Sequence, residues 1–268
     1  MTASDAEFLG LELHDDGLAG SAVVTHRLMS PRGAFYGGAG LAFACTMMEC
    51  ATERSTVWCT VQFVNGAALG DRLELHTEVV AHGHRTSQAR VVARHDGREV
   101  FSAVGATGSG GAPVSKSFAT MPTVSKVEQS AAIAWDFGID PAMTHFATTE
   151  LREAVIKGAT EGTTAPSMAL WLRMHERRPW SPTMLAFVAD IVPMSIHRVL
   201  GHRQPGGKSL DNSLRVGPPR ETDWILLALY PETVHDGYGH GSVQLWAPDG
   251  TLLGMASQSF ALRSAPPG

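Results

Sequence analysis

Asp190 stands in the run MLAFVADIVPMSI, where its helical neighbours three and four positions away, Ala186, Phe187, Pro193 and Met194, offer no cation. A carboxylate buried among them is costly without other compensation, and desolvation raises its pKa toward the range of a general base. An aspartate facing solvent at a helix edge fits the same run. Pro193 has no amide hydrogen for the Ala189 carbonyl, which leaves an acceptor free beside Asp190. Gln258 shares strand parity with Leu252, Ala256, Phe260 and Leu262, so an amide falls on an otherwise apolar face. There it needs partners for both its oxygen and its nitrogen, and ordinary structural partners serve as well as a ligand. Ser209 alternates with Asp211 and Ser213, which predicts a polar strand face and gives the serine alone little weight.

Other chemistry-bearing residues form weaker patterns. His82 and His84 flank a turn, and His235 and His240 lie near Asp236 in a Gly-rich stretch. Neither pair has a third ligand, so no metal is expected. Cys45, Cys50 and Cys59 are close together with no second cluster, as reduced thiols filling a core would be. A G-x-S-x-G elbow is absent, and residues 105–111 are too irregular for a dinucleotide loop, so no cofactor is implied. Gly37-Gly38 permits close backbone approach before an apolar run. Its amides suit either a polarised carbonyl or tight packing at a strand-to-helix corner.

The elements that must position these residues follow from patterning. Residues 39–51 read as a helix so apolar that it must be buried on most sides. Residues 56–64, 71–82, 87–95 and 100–107 read as strands, with Asp96-Gly97 as a hairpin turn. Residues 108–117 are rich in Gly and Ser and read as a linker, with a short helix expected over 124–135. Strands are then expected over 149–157 and 167–176, an apolar helix over 182–199, and strands over 209–216, 224–230, 241–247 and 252–263. Leu41-Ala-Phe-Ala-Cys-Thr46 aligns with Leu185-Ala-Phe-Val-Ala-Asp190, and Asp96-Gly97 with Asp249-Gly250. The repeat divides 268 residues into a first unit over 1–108, a linker over 109–143 and a second unit over 144–268. Each is a helix that a meander can bury only by curling around it, an α+β architecture. With 21 Lys+Arg against 26 Asp+Glu, the chain lacks the basic excess of a nucleic-acid binder. The start, MTASDAEFLGLELHDDG, has neither a basic segment nor an apolar one. No stretch is apolar over the length of a bilayer span, so no membrane partner and a cytoplasmic location are expected.

Two apolar helices, each wrapped by an antiparallel sheet, resemble the double hotdog of the type II (TesB-like) acyl-CoA thioesterases. The most specific segments are Leu185-Ala-Phe-Val-Ala-Asp190, Ser209-Leu-Asp-Asn-Ser213 and Ser257-Gln-Ser-Phe-Ala-Leu-Arg263. They resemble three family blocks that supply an Asp, a Thr or Ser, and a Gln to hold the hydrolytic water. By position these are Asp190, Ser209 and Gln258. Family members often carry Asp-His-Ser where this chain has Asp211-Asn-Ser213. The first copy has Thr46 in place of Asp190 and Gly105 in place of Gln258, so the set is expected in the second copy alone.

The resemblance implies an acyl-CoA substrate, with Asp190 as general base, Ser209 and Gln258 orienting water, and no covalent intermediate. Amides at the opposite copy's helix start, Gly37 and Gly38, or groups of a partner subunit would hold the oxyanion. Arg203, Lys208, Arg215 and Arg220 flank the Ser209 strand and suit the CoA phosphates, or are solvated loop charges. A homodimer or larger homo-oligomer is expected, because exposed hotdog sheet edges usually pair. Two alternatives keep the fold: a noncatalytic acyl-thioester binding protein, and an enoyl-CoA hydratase. The hydratase would need Asp71 and His76 to face the acyl tunnel.

Overall fold

The computed structural model describes residues 3–14, 17–110, 116–133, 140–158, 164–201 and 207–262. The first copy comprises α1 (Ala3–Leu9), β1 (Leu11–His14), β2 (Ala19–Val23), α2 (Gly37–Thr52), β3 (Ser55–Phe63), β4 (Arg72–His82), β5 (Thr86–His95) and β6 (Arg98–Gly108). Two short strands follow, β7 (Thr123–Val124) and β8 (Ala131–Ala132). The second copy comprises β9 (Thr149–Glu153), β10 (Ile156–Gly158), β11 (Met168–Met174), α3 (Pro182–Val188), α4 (Val192–Val199), β12 (Gly207–Val216), β13 (Ile225–His235), β14 (Tyr238–Trp246) and β15 (Leu252–Leu262). Among the described residues no helix is long and apolar enough to cross a membrane.

One antiparallel sheet of thirteen strands runs β1-β2-β4-β5-β6-β3-β12-β15-β14-β13-β11-β9-β8. The two copies meet at its centre, where β3 pairs with β12 and Thr60 Oγ1 lies 2.6 Å from Ser213 Oγ. Alternation along the strands sends Cys59, Val61, Leu214, Ala256 and Phe260 inward, where they bury α2 and α3. This is the double hotdog that the family resemblance implies, built from the two wrapped helices that the repeat predicts. The sharing of one sheet explains why neither copy stands apart as a separate body.

Three local expectations are corrected. No α-helix forms over residues 124–133; β7 pairs with β10, a short 3-10 helix spans only Val127–Gln129, and β8 adds an edge to the main sheet. Trp135 and the rest of that expected helix lie outside the described residues. Residues 149–157 form two strands, β9 and β10, rather than one. The expected helix over 182–199 is two helices. Pro193 cannot donate to Ala189, whose carbonyl instead accepts from the Ile191 amide at 3.0 Å, and Met194 restarts the ladder on Ile191. Asp190 sits in that break.

Candidate active site

The break turns the Asp190 side chain out of the helical ladder and toward the first turn of α2. That turn begins without a side-chain cap, so its leading amides need acceptors. Gly38 N donates to Asp190 Oδ2 at 3.0 Å, and the Gly37 amide also favours the charged carboxylate. A Cβ on Gly37 would collide with Asp190 Oδ2 and lie 2.8 Å from Phe63 Cζ, so glycine is what allows this approach. Tyr36 completes the corner. Its hydroxyl donates to the Asp190 backbone oxygen at 3.4 Å, and its ring stacks on His145 with centroids 3.6 Å apart.

Gln258 Nε2 donates to Asp190 Oδ1 and, at 2.9 Å, to Ser209 Oγ. Helix break, strand β12 and strand β15 therefore bring Asp190, Ser209 and Gln258 to one point. The residue Asp190 keeps partial exposure while protein atoms crowd its carboxylate. Desolvation raises its pKa to about 6, against donors from Gln258, Gly38, Ser209 and Gly37 that lower it. Gln258 is 2% exposed, and its Oε1 has no partner among the described residues. The arrangement is a carboxylate ready to take a proton near neutral pH, beside one open amide acceptor.

The polar face predicted for Ser209 is corrected. The register of β12 against β15 shifts between Ser209 and Asp211, so Ser209 lies opposite inward Phe260 while Asp211 lies opposite Ser259. Ser209 thus joins the face of Asn212, which lies directly opposite Gln258. Asn212 is fully buried, and neither its Oδ1 nor its Nδ2 has a partner among the described residues. Each such group carries a desolvation cost of about 1–3 kcal/mol. Sequence reading missed it because simple alternation put Ser209 with Asp211 and Ser213. The available signal was an amide in step with Leu214 and Val216. Tyr36 and His145 were also missed, and no local pattern marks them.

The first copy holds different residues at the matching places. Thr46 reaches the first turn of α3, as Asp190 reaches that of α2, with its Oγ1 2.9 Å from Thr183 Oγ1. Cys59 opposite Gly105 matches Asn212 opposite Gln258. Of the expected phosphate contacts, Arg203 lies outside the described residues. Lys208 adjoins Ser209 in the strand and donates to Val64 O at 3.1 Å. Arg215 lies at the far end of β12, about 20 Å along the strand from Ser209, and Arg220 pairs with Asp249 at 2.6 Å. The three described residues do not converge. The hydratase arrangement is also excluded: His76 is exposed on β4, and Asp71 Oδ2 accepts from Ala68 N at 2.8 Å.

Comparison with known proteins agrees with this architecture. A family profile for the acyl-CoA thioesterase N-terminal domain matches residues 25–108, and one for the acyl-CoA thioesterase C-terminal domain matches residues 124–262. A comparison with curated proteins finds no match. Among solved structures, a protein provisionally named a thioesterase from Novosphingobium aromaticivorans DSM 12444 is 29% identical, with a TM-score of 0.85, covering 95% of this chain and 99% of that one. A hot dog fold protein of unknown function from Alicyclobacillus acidocaldarius is 18% identical, with a TM-score of 0.80 over 99% of this chain and all of its own. The acyl-CoA thioesterase II TesB2 of Mycobacterium marinum is 15% identical, with a TM-score of 0.78 over 97% of this chain and 98% of that one. The last two likenesses concern the fold. The two domain profiles fall on the two wrapped helices in chain order, the second covering more than half the chain, and the chain belongs to the acyl-CoA thioesterase family.

Proposed function

We propose that the protein hydrolyses acyl-CoA thioesters through a water activated by Asp190. The observation that carries this reading is the junction of Asp190, Ser209 and Gln258 around a carboxylate whose pKa is raised to about 6. A water beside this cluster passes one proton to Asp190 while its other O–H donates a hydrogen bond to the unpartnered Gln258 Oε1, which aims a lone pair at the thioester carbon. The C–O bond forms, a tetrahedral oxyanion follows, and the C–S bond then breaks. The sulfur leaves as the CoA thiol with the proton that Asp190 holds. No side chain forms a bond to the acyl group. A thioester suits so simple a site because sulfur conjugates poorly with its carbonyl.

Lys208, exposed next to Ser209 in β12, is the best placed of the described predicted cations for a CoA phosphate. Incubation of the purified protein with acyl-CoAs of graded chain length, with released thiol titrated, tests the reading. Catalytic thiol release supports it. Tight binding without thiol release would replace it with the binding-protein alternative.

A further inference from the structure

The oxyanion of the proposed reaction needs a hydrogen-bond donor, and the donors around Asp190 are already engaged. The Gly38 amide is bound to Asp190 Oδ2, the Gly37 amide lies beside it, and both the Gln258 Nε2 and the Ser209 hydroxyl serve the same carboxylate. The corner read from sequence as an oxyanion site holds the base instead. One strand position away from this cluster, Asn212 presents a buried Nδ2 with no acceptor among the described residues.

We propose that Asn212 is a further catalytic residue, whose Nδ2 donates to the thioester oxygen as the carbonyl becomes tetrahedral. The proposal rests on the thioesterase reading above and names the donor which that reading lacks. Three observations support it. Asn212 and Gln258 are direct cross-strand partners, so their Cβ atoms are about 4.5–5.5 Å apart on one face. The bulge between Ser209 and Asp211 adds Ser209 to that face, making a polar patch of Ser209, Asn212 and Gln258. Around it the face is apolar, with Val61 opposite Asn212 on β3, Leu214 next along β12, and Ala256 and Phe260 beside Gln258. A thioester attacked by a water held at Asp190 and Gln258 would lie along this polar patch, beside the Asn212 amide. An amide with both ends unpartnered in such a setting is a poor structural choice, and a donor aimed at developing negative charge explains it.

The test compares Asn212→Leu and Asn212→Thr with the wild type and with Asp190→Asn, using one acyl-CoA, across pH. Loss of an oxyanion donor lowers kcat about a hundredfold or more, with KM within threefold. The acid limb of the kcat profile stays where the wild type has it, because Asn212 does not bond Asp190. The melting temperature of Asn212→Leu is equal to or above that of the wild type, since no buried hydrogen bond is removed. A kcat within threefold of wild type in either folded variant overturns the proposal. So does a loss accompanied by an upward shift of the acid limb, which would mean that Asn212 acts only by supporting Gln258. If Asp190→Asn is inactive while the Asn212 variants are active, only this proposal fails. If the wild type releases no thiol, the thioesterase reading fails and takes the proposal with it.

Discussion

Gly38 and Asp190 lie 152 positions apart and are joined by a 3.0 Å hydrogen bond from the Gly38 amide to Asp190 Oδ2. The helix start of the first copy thus completes the carboxylate environment of the second. The first copy, although it lacks the Asp and Gln, contributes backbone donors that its own sequence pattern marks only as Gly37-Gly38.

The two glycines separate function from stability. A Cβ on Gly38 would strike the Phe187 carbonyl oxygen and lie 2.6 Å from Tyr36 Cε1. Gly38→Ala is therefore expected to cost about 1–3 kcal/mol of stability through overpacking. A Cβ on Gly37 meets the Asp190 carboxylate and the Phe63 ring, groups that can shift. Gly37→Ala is expected to lower kcat more than tenfold with a smaller fall in melting temperature. Thermal unfolding and thiol release, measured on both variants, check the contrast.

Activity should fall with acid because the base must be ionised. With the Asp190 pKa at about 6, kcat/KM is expected to rise through pH 6 to a plateau above 7. The Gln258 donor lowers that pKa, so Gln258→Leu should move the acid limb to higher pH as well as reduce the plateau. A limb that stays in place in this variant would show that Gln258 does not act on Asp190.

Stability should respond to His145. Burial lowers its pKa from the ordinary 6.5 to about 3, against a bond from its ring to Met29 O. The folded state stays neutral where the unfolded state takes a proton, so this contribution is complete above pH 6.5 and is lost as pH falls toward 3. The loss between pH 6.5 and 5 is about 2 kcal/mol at about 1.4 kcal/mol per unit. His145→Phe keeps a ring against Tyr36 and should flatten this acid sensitivity. Asp190 acts in the opposite direction, since a raised carboxylate pKa favours the folded state at low pH and that advantage fades as pH rises through 6. The comparison is the pH dependence of unfolding in wild type and variant.

A second site should not arise from restoring the carboxylate alone. Thr46 is fully buried and bonded to Ala42 O and Thr183 Oγ1. Gly105 leaves no space for a glutamine, since a Cβ there would lie 2.6 Å from the Trp58 carbonyl oxygen. Thr46→Asp is expected to leave kcat unraised and to lower the melting temperature, because it buries a charge without a cation. Any gain in turnover would contradict the inequality of the two copies.

The fold was legible because the repeat of an apolar helix and a meander is written in hydrophobic patterning, which survives without detailed geometry. Asp190 and Gln258 were visible as polar residues on apolar faces. The β12 face was not, because one extra residue between Ser209 and Asp211 inverts parity and no residue type there announces a bulge. Pro193 signalled a free carbonyl but not that the helix would part and release Asp190. The amides of Gly37 and Gly38 were read as serving either a polarised carbonyl or a packed corner. Only the packing of α2 against α3 reveals that they face the Asp190 carboxylate.

Asp190→Asn is the most direct measurement. The substitution keeps the shape of the side chain and removes its capacity to accept the water's proton. With an acyl-CoA that the wild type hydrolyses, steady-state thiol release should fall about a hundredfold or more in folded protein of unchanged secondary structure. A variant within threefold of wild type would contradict the assignment of Asp190 as the base.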